Sequence, residues 1–148
     1  MENAFLKNIN NYFSFLSSEY GFKGPYEFLW VHEYHVNYVK GRLVVDINFD
    51  HPFYFVKLFD TKNTVPELEN GEVRFKDLWP QTWPSYELNN LCGDKGKTLS
   101  KLKETPLKQL EYYQEILKKY PELLNADFRQ FSSWRIFLRK YFRWFVAA

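Results

Sequence analysis

Apolar positions in the first twenty residues recur at helical spacing. Phe5, Ile9, Tyr12, Phe13 and Leu16 alternate with asparagine, lysine and serine. This predicts an amphipathic helix over about 2–18, ended by Gly21. From Phe28 the pattern changes to period two. Lys40-Gly41 is a suitable two-residue hairpin turn, with glycine where a positive φ is needed. Beyond it Leu43, Val45, Ile47 and Phe49 fall on one face of a strand, and Asp46, Asn48 and Asp50 on the other. His51-Pro52 breaks that strand. The next run, FYFVKLFD, is apolar on both faces apart from Lys57, as a strand buried on both sides would be.

Residues 61–105 are rich in proline and glycine and hold two weaker strand candidates, Glu72–Phe75 and Tyr86–Leu91. The connection LWPQTWPSY places two prolines beside Trp79 and Trp83, which suits a loop pinned by its rings. Thr105 then reads as an N-cap with Pro106 at the first helical position. Leu107, Leu110, Tyr113, Leu117 and Tyr120 supply that helix with a buried stripe, and Tyr120-Pro121 stops it. Asp127 with Gln130 three residues on has the form of a capping box and opens a last helix to about 145. The order of helix, strands and helices predicts one α+β domain over residues 1–148. Its antiparallel sheet, of about four strands, would carry the N-terminal helix and the C-terminal helices on one face.

Composition narrows the chemistry. Aromatic residues make up 21% of the 148, about twice the ordinary share. They bring enough apolar area for a well-packed core despite a mean hydropathy of −0.50. A single cysteine, Cys92, excludes an internal disulfide framework and a cysteine-based zinc site. The N-terminus lacks the basic start and unbroken apolar run of a secretory leader. No segment approaches the roughly 20 apolar residues of a membrane span. A cytoplasmic protein without a cofactor is the expectation. The net charge of +2 divides unevenly, with −3 over residues 1–75 and +5 over 76–148, which bears on partners more than the total does.

All three histidines lie in HEYHVNYVKGRLVVDINFDH, residues 32–51. HEYH is one residue short of the zinc-protease motif, which needs two histidines a helical turn apart. On a strand, His32 and His35 point to opposite faces. With Lys40-Gly41 as the turn, Tyr38 faces Leu43, Val36 faces Val45 and Tyr34 faces Ile47 on the core side. On the other side His35 faces Asp46, Glu33 faces Asn48, and Asn37 faces Val44. The His35–Asp46 pair is then an exposed cross-strand ion pair contributing well under 1 kcal/mol. The competing reading is a hydrolytic or metal site of His35, Asp46, Asp50 and His51. The helix-free polar face of Glu33, His35, Asn37, Asp46, Asn48 and Asp50 reads as solvated, or as a docking surface for a basic partner.

Other motifs carry less. GDKGKT, residues 93–98, is two residues short of a phosphate-binding loop and reads as a lysine-rich surface turn. Cys92 has no nucleophile signature around it, and no G-x-S-x-G occurs. In the last helix Arg135, Arg139 and Arg143 form one stripe with Lys140 beside it. That stripe could meet nucleic acid or an anionic surface; as a solvated face it would complement the helix C-terminus.

Two segments carry a resemblance. Glu19–Phe22 (EYGF) follows the first helix, and Leu123–Phe128 (LLNADF) precedes the last. With the hairpin between them, the layout resembles small bacterial α+β proteins, some of which look like immunity proteins that bind and block a cognate toxin. The resemblance spans most of the chain, but its motifs are structural and bring no functional residue. It implies a non-catalytic protein-binding domain, with a toxin as the partner. The contacts expected of it are Glu33, His35, Asp46, Asn48 and Asp50, or the loop at Trp79 and Trp83. Nucleic-acid binding through Arg135, Arg139, Lys140 and Arg143 is the alternative.

Overall fold

The first apolar stripe does form a helix, but in two pieces. In the computed structural model, which describes residues 4–30, 33–60, 85–88 and 97–125, α1 spans Ala4–Phe13 and α2 spans Phe15–Tyr20. Ser14 keeps helical angles between them, and its N–H still reaches the Asn10 carbonyl at 2.8 Å. Ile9, Phe13 and Leu16 are fully buried, whereas Phe5 stays 39% exposed. Gly21 ends α2 in the left-handed region at φ 76°, which glycine adopts without steric cost. The chain folds back there, so the Phe22 N–H bonds the Leu16 carbonyl at 3.0 Å and Phe22 enters the core.

Four long strands follow: β1 Lys23–Trp30, β2 Glu33–Lys40, β3 Leu43–Asp50 and β4 Phe53–Asp60. A short β5, Ser85–Glu87, pairs with the end of β4. All neighbours are antiparallel and adjacent in sequence, giving a five-stranded meander. The single period-two run expected before Lys40 is thus two strands, β1 and β2. β1 begins with Gly24-Pro25, ordinarily a strand breaker. It sits at the sheet edge, where the register shifts between Lys23 and Tyr26, and an edge irregularity tolerates a residue without an N–H. Gly24 is required for a second reason. A Cβ there would lie 2.7 Å from the Asn37 carbonyl oxygen.

The hairpin register differs from expectation by two residues. The turn is Gly41-Arg42, with Lys40 opposite Leu43, because the positive φ of 59° falls on Gly41 as the first turn residue. Each partner therefore moves by two, and the sharing of faces survives. Val36 lies opposite Ile47, Tyr38 opposite Val45, His35 opposite Asn48 and Asn37 opposite Asp46.

After α3, Lys97–Lys101, the long helix α4 runs from Pro106 to Lys119, and a 3₁₀ turn covers Pro121–Asn125. α3 takes in Lys97 and Thr98, the end of the expected lysine-rich turn, whose earlier residues lie outside the described ones. Thr105 does not cap α4 with its side chain; its hydroxyl donates back to the Leu102 carbonyl at 3.3 Å. The buried stripe of α4 is Gln109, Leu110, Tyr113, Ile116 and Leu117, rotated from the expected one, and Leu107 is 47% exposed. α4 packs on α1 and on β4. One apolar cluster joins these helices to Val36, Tyr38, Val45, Ile47, Tyr54, Val56 and Leu58 of the sheet. The expected α+β architecture is therefore present, with helices from both ends of the described chain meeting the same core. No helix among the described residues is long and apolar enough to cross a membrane. The expected strand Glu72–Phe75, Cys92 and the last helix with its Asp127–Gln130 start lie outside the described residues.

Candidate functional site

The other face of β2 and β3 carries the polar residues, and it is not solvated. His35, Asn37 and Asp46 are 0% exposed and Asn48 is 4% exposed. Of the expected contact residues that are described, only Glu33 (side chain 36% exposed) and Asp50 reach the surface. The exposed docking face drawn from the sequence is corrected accordingly: His35, Asp46 and Asn48 have no surface to offer a partner. Alternation fixed which face these residues share, but it does not report whether that face is covered.

The cluster is built from neighbouring positions of two strands. His35 stands directly opposite Asn48, and Asp46 lies on the diagonal, still within reach of long side chains. His35 Nδ1 is 2.9 and 3.2 Å from the two Asp46 carboxylate oxygens. Its Nε2 is 2.9 Å from Glu33 Oε2. The same Glu33 oxygen also accepts from Asn48 Nδ2 at 3.4 Å. The expected His35–Asp46 pair therefore exists, but as a buried, diagonal pair instead of an exposed, opposed one. Lys57 of β4 is the register partner of Asp46 on its other side.

Burial depresses the basicity of His35. The bond and charge of Asp46, followed by those of Glu33, outweigh it and hold the imidazole above its ordinary value. Burial likewise pushes the Asp46 carboxyl up, against the opposing pull of His35 and Lys57. Both directions describe one fact. Two hydrogen bonds in series between three groups need two protons. They sit on the ring as imidazolium, or one sits on Asp46 and one on Nε2. Either arrangement leaves the trio with the same charge.

Beside this trio lie the two amides of the same face, whose hydrogen bonding is incomplete. The Asn37 amide has no partner at either its oxygen or its nitrogen, and Asn48 Oδ1 has none. Asn37 lies directly opposite Asp46. On the helical side, Gln109 is a buried clasp. Its Oε1 accepts the Tyr54 N–H at 2.7 Å, and its Nε2 donates to the Leu102 and Pro52 carbonyls at 2.8 and 3.2 Å.

Of the hydrolytic grouping, His35 and Asp46 are paired, but His51 does not join them. His51 is exposed and packs edge-on against Phe49, with ring centroids 6.0 Å apart, and Phe49 belongs to the opposite face of β3. No group of three histidine, cysteine or acidic side chains among the described residues is arranged to hold a metal ion. His32, Trp79, Trp83, Arg135, Arg139, Lys140 and Arg143 lie outside the described residues. Comparison with protein-family models, curated proteins and solved structures returns no match to this chain.

Proposed function

We propose that this chain is a non-catalytic protein-binding domain whose partner is a basic protein, a bacterial toxin that it neutralises. The observation that supports the non-catalytic half is His35. It is the histidine of the buried cluster, and both of its nitrogens are engaged, one by Asp46 and one by Glu33. A general base or metal ligand needs one nitrogen directed at substrate or ion.

The binding half rests on what stays at the surface. Asp50 is exposed and Glu33 half-exposed at the same end of the hairpin. Glu27 is exposed on β1, and Leu29, two residues on, is 66% exposed. Exposed carboxylates toward this end of the sheet, Glu27 on the Leu29 face and Asp50 on the other, together with one exposed apolar side chain, suit a partner whose contact patch is cationic with an apolar centre. The resemblance of the sequence layout to immunity-type proteins is in keeping with this reading.

The test is capture of the partner from the native host by the tagged chain, followed by titration of the purified pair. Asp50→Lys combined with Leu29→Lys should lower affinity at least tenfold, with salt sensitivity concentrated in the association rate. Equal affinity for this double variant and the wild type would remove this end of the hairpin as the docking site.

A further inference from the structure

Three groups in a row, Asp46, His35 and Glu33, run from the buried interior to the protein surface. Asp46 and His35 are 0% exposed, and the Glu33 side chain is 36% exposed. Each end of the ring meets a carboxylate oxygen at 2.9 Å. An ionised carboxylate only accepts hydrogen bonds, so each of these contacts exists only while a proton lies in it. Removing one proton leaves a lone pair facing a negative oxygen across one of the two gaps. Asp46 is buried and held by the strand. Glu33 stands next to solvent, and besides the ring it holds the long 3.4 Å bond from Asn48 Nδ2, which it gives up to water when it rotates away.

A second feature gives the deprotonated state somewhere to go. Asn37 is fully buried with its amide unpartnered, and it sits directly opposite Asp46 in the ladder. Side chains at opposed positions have Cβ atoms about 5 Å apart, so the Asn37 amide can donate to Asp46 through a rotation about its own side-chain bonds. The charged and titratable residues around the ring are few among the described elements. Glu33 comes from β2, Asp46 from β3 and Lys57 from β4. The β1 positions opposite His35 and Asn37 are Phe28 and Tyr26, and Glu27 lies on the other face with Tyr34, whose hydroxyl it accepts.

We propose that Asp46, His35 and Glu33 form a proton-operated latch. With two protons in the row, Glu33 is held against the sheet. With one proton lost, Glu33 turns out into solvent as a free carboxylate and Asp46 takes the Asn37 amide. This device is independent of any partner, and its test uses the protein alone.

The sign of the pH dependence follows from the geometry. The folded row keeps its protons to higher pH than the same groups in the unfolded chain. Its stabilising effect is complete below the titration of the unfolded imidazole, near pH 6.5, and is lost as pH rises through the titration of the folded ring.

Nitrogen-15 NMR of the full chain reads the His35 ring directly. Its titration midpoint should lie above that of the same ring in urea-unfolded protein. Glu33→Gln keeps an acceptor for Nε2 but removes the charge, so it should move the midpoint down. Relaxation of the Glu33 γ-protons by a neutral gadolinium chelate should increase through the wild-type midpoint as the side chain emerges. A midpoint at or below the unfolded value overturns the latch. So does one insensitive to Glu33→Gln, or a Glu33 side chain whose access to the chelate is the same on both sides of the transition.

Discussion

The two faces of the sheet are both buried, and they are buried by different chemistry. On one, Val36, Tyr38, Val45, Ile47, Tyr54, Val56 and Leu58 meet α1 and α4. Few polar atoms enter this core, and apart from Ser17 Oγ of α2 those of the described residues are matched. The Tyr38 hydroxyl donates to Asn10 Oδ1 and the Tyr113 hydroxyl to the Tyr54 carbonyl, both at 3.0 Å. On the other face, Val39, Val44 and Phe59 share burial with His35, Asn37, Asp46 and Asn48. Here the matching is incomplete, since Asn37 and one atom of Asn48 are unpartnered. Apolar burial on the first face drives folding in proportion to area. On the second, desolvation of charge offsets much of what pairing returns. The first face is where stability resides, and the second is where two arrangements can lie close in energy.

The comparison is tested most strongly on the apolar side. Phe13 is fully buried, with its ring centroid 6.5 Å from that of Phe15. Phe13→Ala removes most of a large side chain and leaves a cavity, which costs about 3–5 kcal/mol. Urea unfolding should show this as a lower midpoint at unchanged slope. A loss under about 1 kcal/mol would mean that the helical layer is not what closes this core.

On the polar side the informative result is a non-additive one. Asp46→Ala strands the buried imidazole and costs about 3 kcal/mol. Converting both partners, with Asp46→Leu and His35→Leu together, removes the two groups that had to be desolvated and releases Glu33 to water. The double variant should therefore be more stable than Asp46→Ala alone, measured by the same unfolding curves. If the two losses simply add, the row is a stabilising element like the opposite core, and the contrast between the faces fails.

Legibility in the sequence follows the same division. The α+β order, the glycine stop at Gly21, the two-residue break at His51-Pro52 and the face shared by Val45 and Ile47 all follow from local periodicity and turn chemistry. The sequence leaves the register open by two, because Lys40-Gly41 and Gly41-Arg42 are both acceptable turns and a shift of two leaves every side chain on its face. β1 was hidden by Gly24-Pro25, whose breaker character is absorbed at an edge irregularity. The stripe of α4 was misplaced because Gln109 looks solvent-facing, although its three hydrogen bonds bury it. The His35–Asp46 pair was visible in the sequence; its burial was not. Alternating polar residues look the same whether they meet water or protein.

The smallest expected effect discriminates most finely between the faces. Asn37 is enclosed with neither end of its amide bonded. An enclosed amide in that state has lost its water without replacement, at about 1–3 kcal/mol. Valine has similar volume, suits a strand and carries nothing to desolvate. Asn37→Val should therefore leave stability within about 0.5 kcal/mol of wild type at pH 6, or raise it. Raising the pH should separate the two proteins. Once the His35 row loses a proton, the wild type can satisfy Asp46 from Asn37, and the valine variant cannot. Its stability should fall more steeply with pH above the His35 midpoint, read from urea midpoints taken across the transition. Parallel curves would show that Asn37 is an ordinary filler of the polar face, with no part in how Asp46 is satisfied.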